Sequence, residues 1–313
     1  MMMSHKHRGQ DDRKNQRAGG KRSRWSKQHL YLVLDDWDKG FSIHKIDADS
    51  FDDSGSATVS SAPRASGAAE SAAGNDQIYL AASSTKMFII MNNRCGLIYD
   101  ADMAVLAIGT HAPPRMVFGF GVCMPVGEVL YLLSYRLLDN EGPQSFEAMS
   151  WSPAAAGASG GGWAWKTLPA PPPTFTGRQI VISHTLHPDG CTIFMTTAYR
   201  DTPGAPVGTY SFNTREATWR WHEECALPFH GQAHFDAELG AWVGLHLDGY
   251  IRSCQTTKEK LFGNEGCTIR ASLTYMGTGR FCLVECVPSK VTKGPVFGDN
   301  DGCVLHVTMF SLK

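Results

Sequence analysis

The sequence predicts an all-β chain: a single β-propeller of about six four-stranded blades, or five if the segment around Cys254 is irregular, behind a disordered basic N-terminal tail. Three observations carry this. First, a short phrase returns six times, an extended run that ends in a large apolar residue and is followed by a turn. Its clearest copies are Lys45-Ile46-Asp47-Ala48-Asp49 and Ile98-Tyr99-Asp100-Ala101-Asp102; looser ones are Ser150-Trp151-Ser152, Ser211-Phe212-Asn213, Ser253-Cys254-Gln255 and Met309-Phe310-Ser311. From Ile46 through Tyr99, Trp151, Phe212, Cys254 and Phe310 the steps are 53, 52, 61, 42 and 56 residues. Recurrences of about 40–50 residues built from short strands mark propeller blades. Second, Gly, Pro, Asp and Asn punctuate the apolar runs closely, as hairpins require. Third, no stretch carries a convincing 3.6-residue apolar period, so helix should be minor.

Taken in order, Leu30–Leu34 and Phe41–Ile46 read as a first strand pair. Ile78–Ala82, Lys86–Met91, Gly96–Tyr99 and Ala104–Ile108 give four strands in about thirty residues. Met116–Gly121, Val129–Ser134, Phe146–Ser150 and Trp163–Thr167 form another set, and Ile180–Thr185, Cys191–Thr197, Gly208–Phe212 and Thr218–His222 the best-formed one. Between them, 54–75 and 153–162 are runs of Ser, Ala, Gly and Pro that read as long loops inside one domain. The last copy of the phrase leaves no room for a fourth strand before Lys313, and the first has no strand before Leu30. Ring closure, with both chain regions sharing or abutting a blade, would leave that mismatch. The expected division is therefore a tail over 1–28 and a propeller domain over 29–313.

Composition bounds the function. The 313 residues are 42% hydrophobic, with 29 Lys and Arg against 30 Asp and Glu, so the formal charge is −1 and nothing draws the whole chain to nucleic acid or anionic lipid. No apolar run approaches a membrane span or a secretory leader, and the expected location is cytoplasmic or nuclear. The tail concentrates nine basic residues between Lys6 and Lys27 against Asp11 and Asp12. It reads as a solvated segment too poor in large apolar groups to fold, with nuclear import as the sharper alternative and nucleic-acid tethering as an unfavoured one. The nine cysteines, at 95, 123, 191, 225, 254, 267, 282, 286 and 303, follow no recurrent spacing and read as small buried hydrophobes.

Several phrases resemble, as a set, a large family of grass (Poaceae) proteins that carry a domain of unknown function of kelch-like or F-box-associated β-propeller type. They are Trp165-Lys166-Thr167-Leu168-Pro169-Ala170-Pro171-Pro172, Gly208-Thr209-Tyr210-Ser211-Phe212-Asn213-Thr214, the run from Ala226-Leu227-Pro228-Phe229 through Trp242, and Gly277-Thr278-Gly279-Arg280-Phe281-Cys282. The likeness spans most of 29–313 and implies a plant source and a propeller, with no activity, cofactor or catalytic residue to carry over. The chain departs from the pattern in its basic tail, in lacking an F-box helix bundle, and in lacking the glycine pair of a true kelch blade. Asp35-Asp36-Trp37 reverses the Trp-Asp order of the other large propeller class.

Candidate chemistry is thin. His222-Glu223-Glu224-Cys225 lacks the two histidines four apart on a helix that a zincin needs, and reads as a polar turn. His230 and His234, with Asp236 near, and His184 and His187, with Asp189 near, could share a metal only in a tight loop, because residues four apart on a strand stand about 13 Å from one another. Cys282 and Cys286 bracket a buried strand and favour packing over a nucleophilic thiol. Asp299-Asn300-Asp301-Gly302 lacks the downstream glutamate of a calcium loop; there, and at Asp189-Gly190 and Asp248-Gly249, Asp-Gly makes a hairpin turn. Trp163, Trp165, Trp219, Trp221 and Trp242 read as packing between sheets.

No catalytic, cofactor-binding or metal residue is assigned, no cofactor is expected, and the residues that bind a ligand or partner stay unknown. The expected function is that of a non-enzymatic protein-binding propeller whose loops, at 54–75, 136–145 and 201–207, recognise another protein, with neither membrane nor nucleic acid as partner. The alternative is a carbohydrate-active or oxidase-type enzyme with a pocket at the central channel, for which Asp236, Glu238 and Asp248 are the acidic candidates. A third is a degenerate family copy with no selected biochemical role.

Overall fold

In a computed structural model of the chain, the residues described are 29–35, 41–47, 56–58, 78–83, 85–91, 95–116, 120–135, 144–153, 161–222, 226–247, 249–254, 271–288 and 303–312. They form strands and turns and no helix. A two-stranded sheet of β1 (His29–Asp35) and β2 (Phe41–Asp47) comes first, followed in the chain by the short β3 (Ser56–Thr58). The next sheet is β4 (Ile78–Ser83), β5 (Lys86–Met91), β6 (Cys95–Asp100) and β7 (Val105–His111), an antiparallel meander. Another meander holds β8 (Phe120–Val126), β9 (Val129–Tyr135), β10 (Gln144–Ser152) and β11 (Gly162–Thr167). A seven-stranded sheet joins β12 (Gln179–Leu186), β13 (Thr192–Tyr199), β14 (Thr202–Asn213) and β15 (Thr218–His222) to β16 (His230–Asp236), β17 (Ala241–Leu245) and β18 (Ile251–Cys254). Its joint is a parallel pairing of β12 with β16 over three residue pairs. Finally β19 (Ala271–Gly277), β20 (Arg280–Pro288) and β21 (Cys303–Ser311) form a meander whose fourth strand is β3.

That last pairing, His306 with Thr58 and Thr308 with Ser56, joins an early strand of the chain to the last described one in a single sheet. The repeat count led to the expectation that strands distant in the chain share a sheet, but it did not point to β3 as one of them. Ser-Ala-Thr carries no apolar signal, and the sequence reads it as part of a long loop. Residues 201–207 likewise belong to a strand, since β14 runs through them with bulges that place Pro206 opposite Ala198 and Thr202 opposite Tyr199. The Pro and Gly there mark irregular pairing rather than a loop. β8 also sits later than its expected position, at Phe120–Val126, with Pro125 inside it. Of the other segments singled out, 1–28, Cys225, Asp248, Cys267, 299–302 and most of the long loops lie outside the described residues.

The repeated phrase has a structural meaning. Tyr99, Trp151, Phe212, Cys254 and Phe310 all fall on the third strand, in chain order, of their four- or three-stranded run. In two copies of the phrase an Asp or Asn side chain caps the turn. Asp100 Oδ1 accepts from the N–H groups of Asp102 and Met103 at 3.0 and 3.2 Å. Asn213 Oδ1 accepts from Arg215 and Glu216, both at 3.0 Å. Four residues after each cap the chain turns left-handed, at Ala104 and Ala217, both with φ 52°. An L-residue pays about 1–2 kcal/mol there and glycine does not. Ala217→Gly should therefore stabilise the fold by about 0.5–1 kcal/mol after the extra chain entropy of glycine is offset. The midpoint of urea unfolding reads this directly, and a drop would mean that the turn is not under strain.

The strands β5, β9 and β17, each between two neighbours in its sheet, are buried on both faces, which explains why they read as continuous apolar runs. β9 shows the division: Tyr131, Leu133 and Tyr135 face a core shared with β12–β15, while Leu130 and Leu132 face one shared with β4–β6. The first of these cores is aromatic. Phe146 meets Phe212 edge-on at 4.7 Å, and Trp219 packs on both at 5.1 and 5.0 Å. Trp219 donates its indole N–H to the Pro169 carbonyl at 2.9 Å. Further cores join β13 to β16–β18, and β17 to β19–β21. The two-stranded sheet packs Leu30 and Leu32 on Met276, Cys282 and Val307, and Tyr31 reaches Tyr99 at 6.4 Å on the other side. β1–β2 thus bridges the last sheet and the β4–β7 sheet.

Candidate functional site

The first strands of five of the six consecutive strand runs converge. β1, β4, β8, β16 and β19 surround a cavity of about 870 Å³. Its wall is sorted by chemistry because the sheets differ in what they turn inward. β1, β4 and β8 contribute Leu30, Val33, Leu80, Ala82 and Pro125, whereas β16 and β19 contribute His230, Gln232, His234, Ser272 and Thr274. Among the described residues that line it there is no Asp, Glu, Lys or Arg. Leu80 remains 43% exposed on the apolar side, unusual for a leucine on an inner strand.

His234 is fixed on this wall. Its Nε2–H donates to the Leu273 carbonyl across to β19 at 3.1 Å, which leaves Nδ1 as an acceptor, and its ring stacks on Tyr275 at 6.3 Å. Burial lowers the pKa of His234, only partly countered by that hydrogen bond. His230, at the exposed rim, is also lowered by desolvation. His184, opposite Gln232 across the parallel joint, is half-buried by surface area yet closely surrounded, and desolvation with His234 nearby brings it down to about 4. All three imidazoles are thus held toward the neutral form.

Below the histidine lies a buried carboxylate. Asp236 has no exposed surface. Its Oδ1 accepts from Glu238 and Leu239 N–H at 2.8 and 2.9 Å, and its Oδ2 from Gly279 N–H at 2.8 Å. Burial alone would raise its pKa, but the Leu239 N–H, the Tyr275 hydroxyl and the N–H groups of Gly279 and Glu238 together outweigh it and leave the carboxyl below its ordinary value. The same carboxylate and burial push the Tyr275 hydroxyl up. Asp236 therefore ties the β16–β17 turn to the β19–β20 hairpin, and its lone pairs are committed to that task.

The structure redistributes the other residues picked from sequence. His184 lies near enough to His234 of the other histidine pair to feel its charge, whereas His187 turns to Asp189 at 3.2 Å and to the rings of Phe194 and Trp242. Asp189 caps its own turn, accepting from Cys191 and Thr192 N–H at 2.8 and 2.9 Å, as the Asp-Gly reading expects. Cys282 is buried and its thiol is raised to about 11, while burial takes Cys123, on the cavity wall, to about 12; neither is poised as a thiolate. Among the described residues no group of three or more His, Cys, Asp or Glu is placed to hold a metal ion. Gln232, Ser272 and Thr274 were missed, because small polar residues on a strand give no signal until the sheet order shows which face turns inward.

A family model described as a protein of unknown function (DUF1668) matches residues 27–313. No curated protein matches the chain significantly. Among solved structures 36 chains match, one of them an oligogalacturonate lyase in complex with manganese, with a TM-score of 0.38 and 10% identity over 91% of this chain and 86% of that one. At that score the likeness bears on neither blade number nor chemistry.

Proposed function

We propose that this chain, which belongs to the DUF1668 family of proteins of unknown function, is a non-enzymatic recognition module: a kelch-like propeller of six blades whose edge takes up an extended segment of another protein. The six-blade reading is supported by the third-strand position of five copies of the repeated phrase, with the sixth on β2, and by β3 completing the last sheet. The recognition reading rests on one observation. β7 is an outer strand with the sequence Val-Leu-Ala-Ile-Gly-Thr-His, and nearly every residue of it is exposed. Val105, Leu106 and Ile108 are 51, 45 and 75% exposed, and Met103 in the preceding turn 68%. Edge strands of soluble proteins are ordinarily blunted by charge, proline, a bulge or a covering element; β7 has neither charge nor proline, and its one irregularity, between Ile108 and His111, leaves Val105–Ile108 regularly paired. An apolar, uncharged edge suits strand addition by an extended apolar segment, in which main-chain hydrogen bonds give affinity and alternate side chains give specificity. Against a catalytic cavity, Asp236 is committed to its turn.

The resemblance to grass proteins makes plant tissue the place to look for the partner, in cytosol or nucleus. Affinity purification with the full chain, a form lacking residues 1–28 and an Ile108→Lys form tests the reading. Partners should survive loss of the tail and fall at least about tenfold with a lysine on the edge. Partners retained by Ile108→Lys would sink the role of β7, and none in any form would sink the module.

A further inference from the structure

The cavity poses a question that strand addition at β7 does not answer. Its volume, about 870 Å³, lies within the range of sites that enclose a small organic molecule. Its wall is divided into an apolar side from β1, β4 and β8 and a side of hydroxyl, amide and imidazole groups from β16 and β19. We propose that this cavity binds a small neutral amphipathic molecule, with an apolar body against Leu80 and Val33 and hydroxyl or carbonyl groups directed at Gln232, His234 and Thr274.

The charge of the ligand follows from the wall. An anion would leave water without meeting a lysine or arginine, and a cation without meeting a carboxylate, so either would pay a desolvation cost with no compensating charge. Histidines could have supplied positive charge, but burial holds His230 and His234 toward the neutral form. Orientation follows from the fixed ring. With Nε2–H given to Leu273, His234 offers Nδ1 as an acceptor for a ligand hydroxyl, while Gln232 and Thr274 can both donate and accept. The exposed Leu80 side chain supplies the apolar surface whose removal from water drives binding.

The test uses the full chain and two fluorescent probes of similar ring size. One is neutral 6-propionyl-2-dimethylaminonaphthalene, an apolar bicycle with a carbonyl acceptor. The other is anionic 8-anilinonaphthalene-1-sulfonate. Saturable one-to-one binding of the neutral probe is expected, with the sulfonate at least about tenfold weaker. Ala82→Trp should fill the cavity and abolish binding; Gln232→Leu, at an exposed position that leaves the core intact, should weaken it about fivefold. Ile108→Lys, on the edge strand, should leave it unchanged, which separates this site from the recognition edge. Equal binding of both probes, no saturation, or insensitivity to Gln232→Leu in a protein that melts like the parent would overturn the proposal.

Discussion

Truncating Phe212 to alanine should lower stability by about 3–5 kcal/mol, the range for removing a large aromatic from a core that cannot collapse around the gap. Phe212 is fully buried on β14 and touches Tyr131, Phe146 and Trp219, so the loss falls on three neighbours from two sheets at once. Relaxation is limited because Trp219 is held by its hydrogen bond to Pro169 and Phe146 lies in the middle of β10. Urea unfolding followed by tryptophan fluorescence should show a lower midpoint. Trp151 occupies the same place in the repeated phrase one sheet earlier but is 56% exposed, and Trp151→Ala should cost less than about 1 kcal/mol. Equal losses at both positions would mean that the aromatic core does not carry the packing between these sheets.

Asp236→Ala should be comparably damaging for a different reason. It removes the acceptor for three backbone N–H groups, two of them in the β16–β17 turn and one in the β19–β20 hairpin, at a site that water does not reach. Orphaned buried donors cost about 1–3 kcal/mol each, and even with partial relaxation a loss on the order of 3 kcal/mol is expected. Asp236→Asn, which keeps one carbonyl oxygen for the β16–β17 turn, should lose roughly half as much. The acid dependence has a definite sign. Because the folded carboxyl is held below the ordinary value of 3.8, its contribution is complete above that pH and is lost as pH falls from 3.8 through the lower folded value. Urea midpoints between pH 5 and 2 should therefore fall more steeply in the parent than in Asp236→Asn, and parallel curves would show the carboxylate to be unimportant.

Much of the architecture was legible from residues and much of the site was not. The recurrence of Ile46, Tyr99, Trp151, Phe212, Cys254 and Phe310 identified one strand in each consecutive two-, three- or four-stranded run, with two of them in the seven-stranded sheet. β3 escaped, since an edge strand of Ser, Ala and Thr is stabilised by its partner's backbone rather than by its own side chains. The histidines were noticed but paired within their own segments; only the parallel joint of β12 with β16 reveals that His184 and His234 belong together. Asp236 looked like an acid available for chemistry, and nothing in its neighbours along the chain announces that Gly279 and Tyr275 claim it.

The pairing of β3 with β21 also sets a schedule. His306 lies 248 residues after Thr58, so this sheet is finished only after the strands between them have been made. At a synthesis rate of about 5–20 residues per second, β3 leaves the ribosome roughly 12–50 seconds before its partner strand is made. The middle sheets, built from consecutive hairpins, can form in that interval, whereas this contact must wait and carries the loop-closure entropy of most of the chain. A three-residue strand without large apolar groups is well suited to waiting, for it offers little to passing chains that would trap it before translation ends.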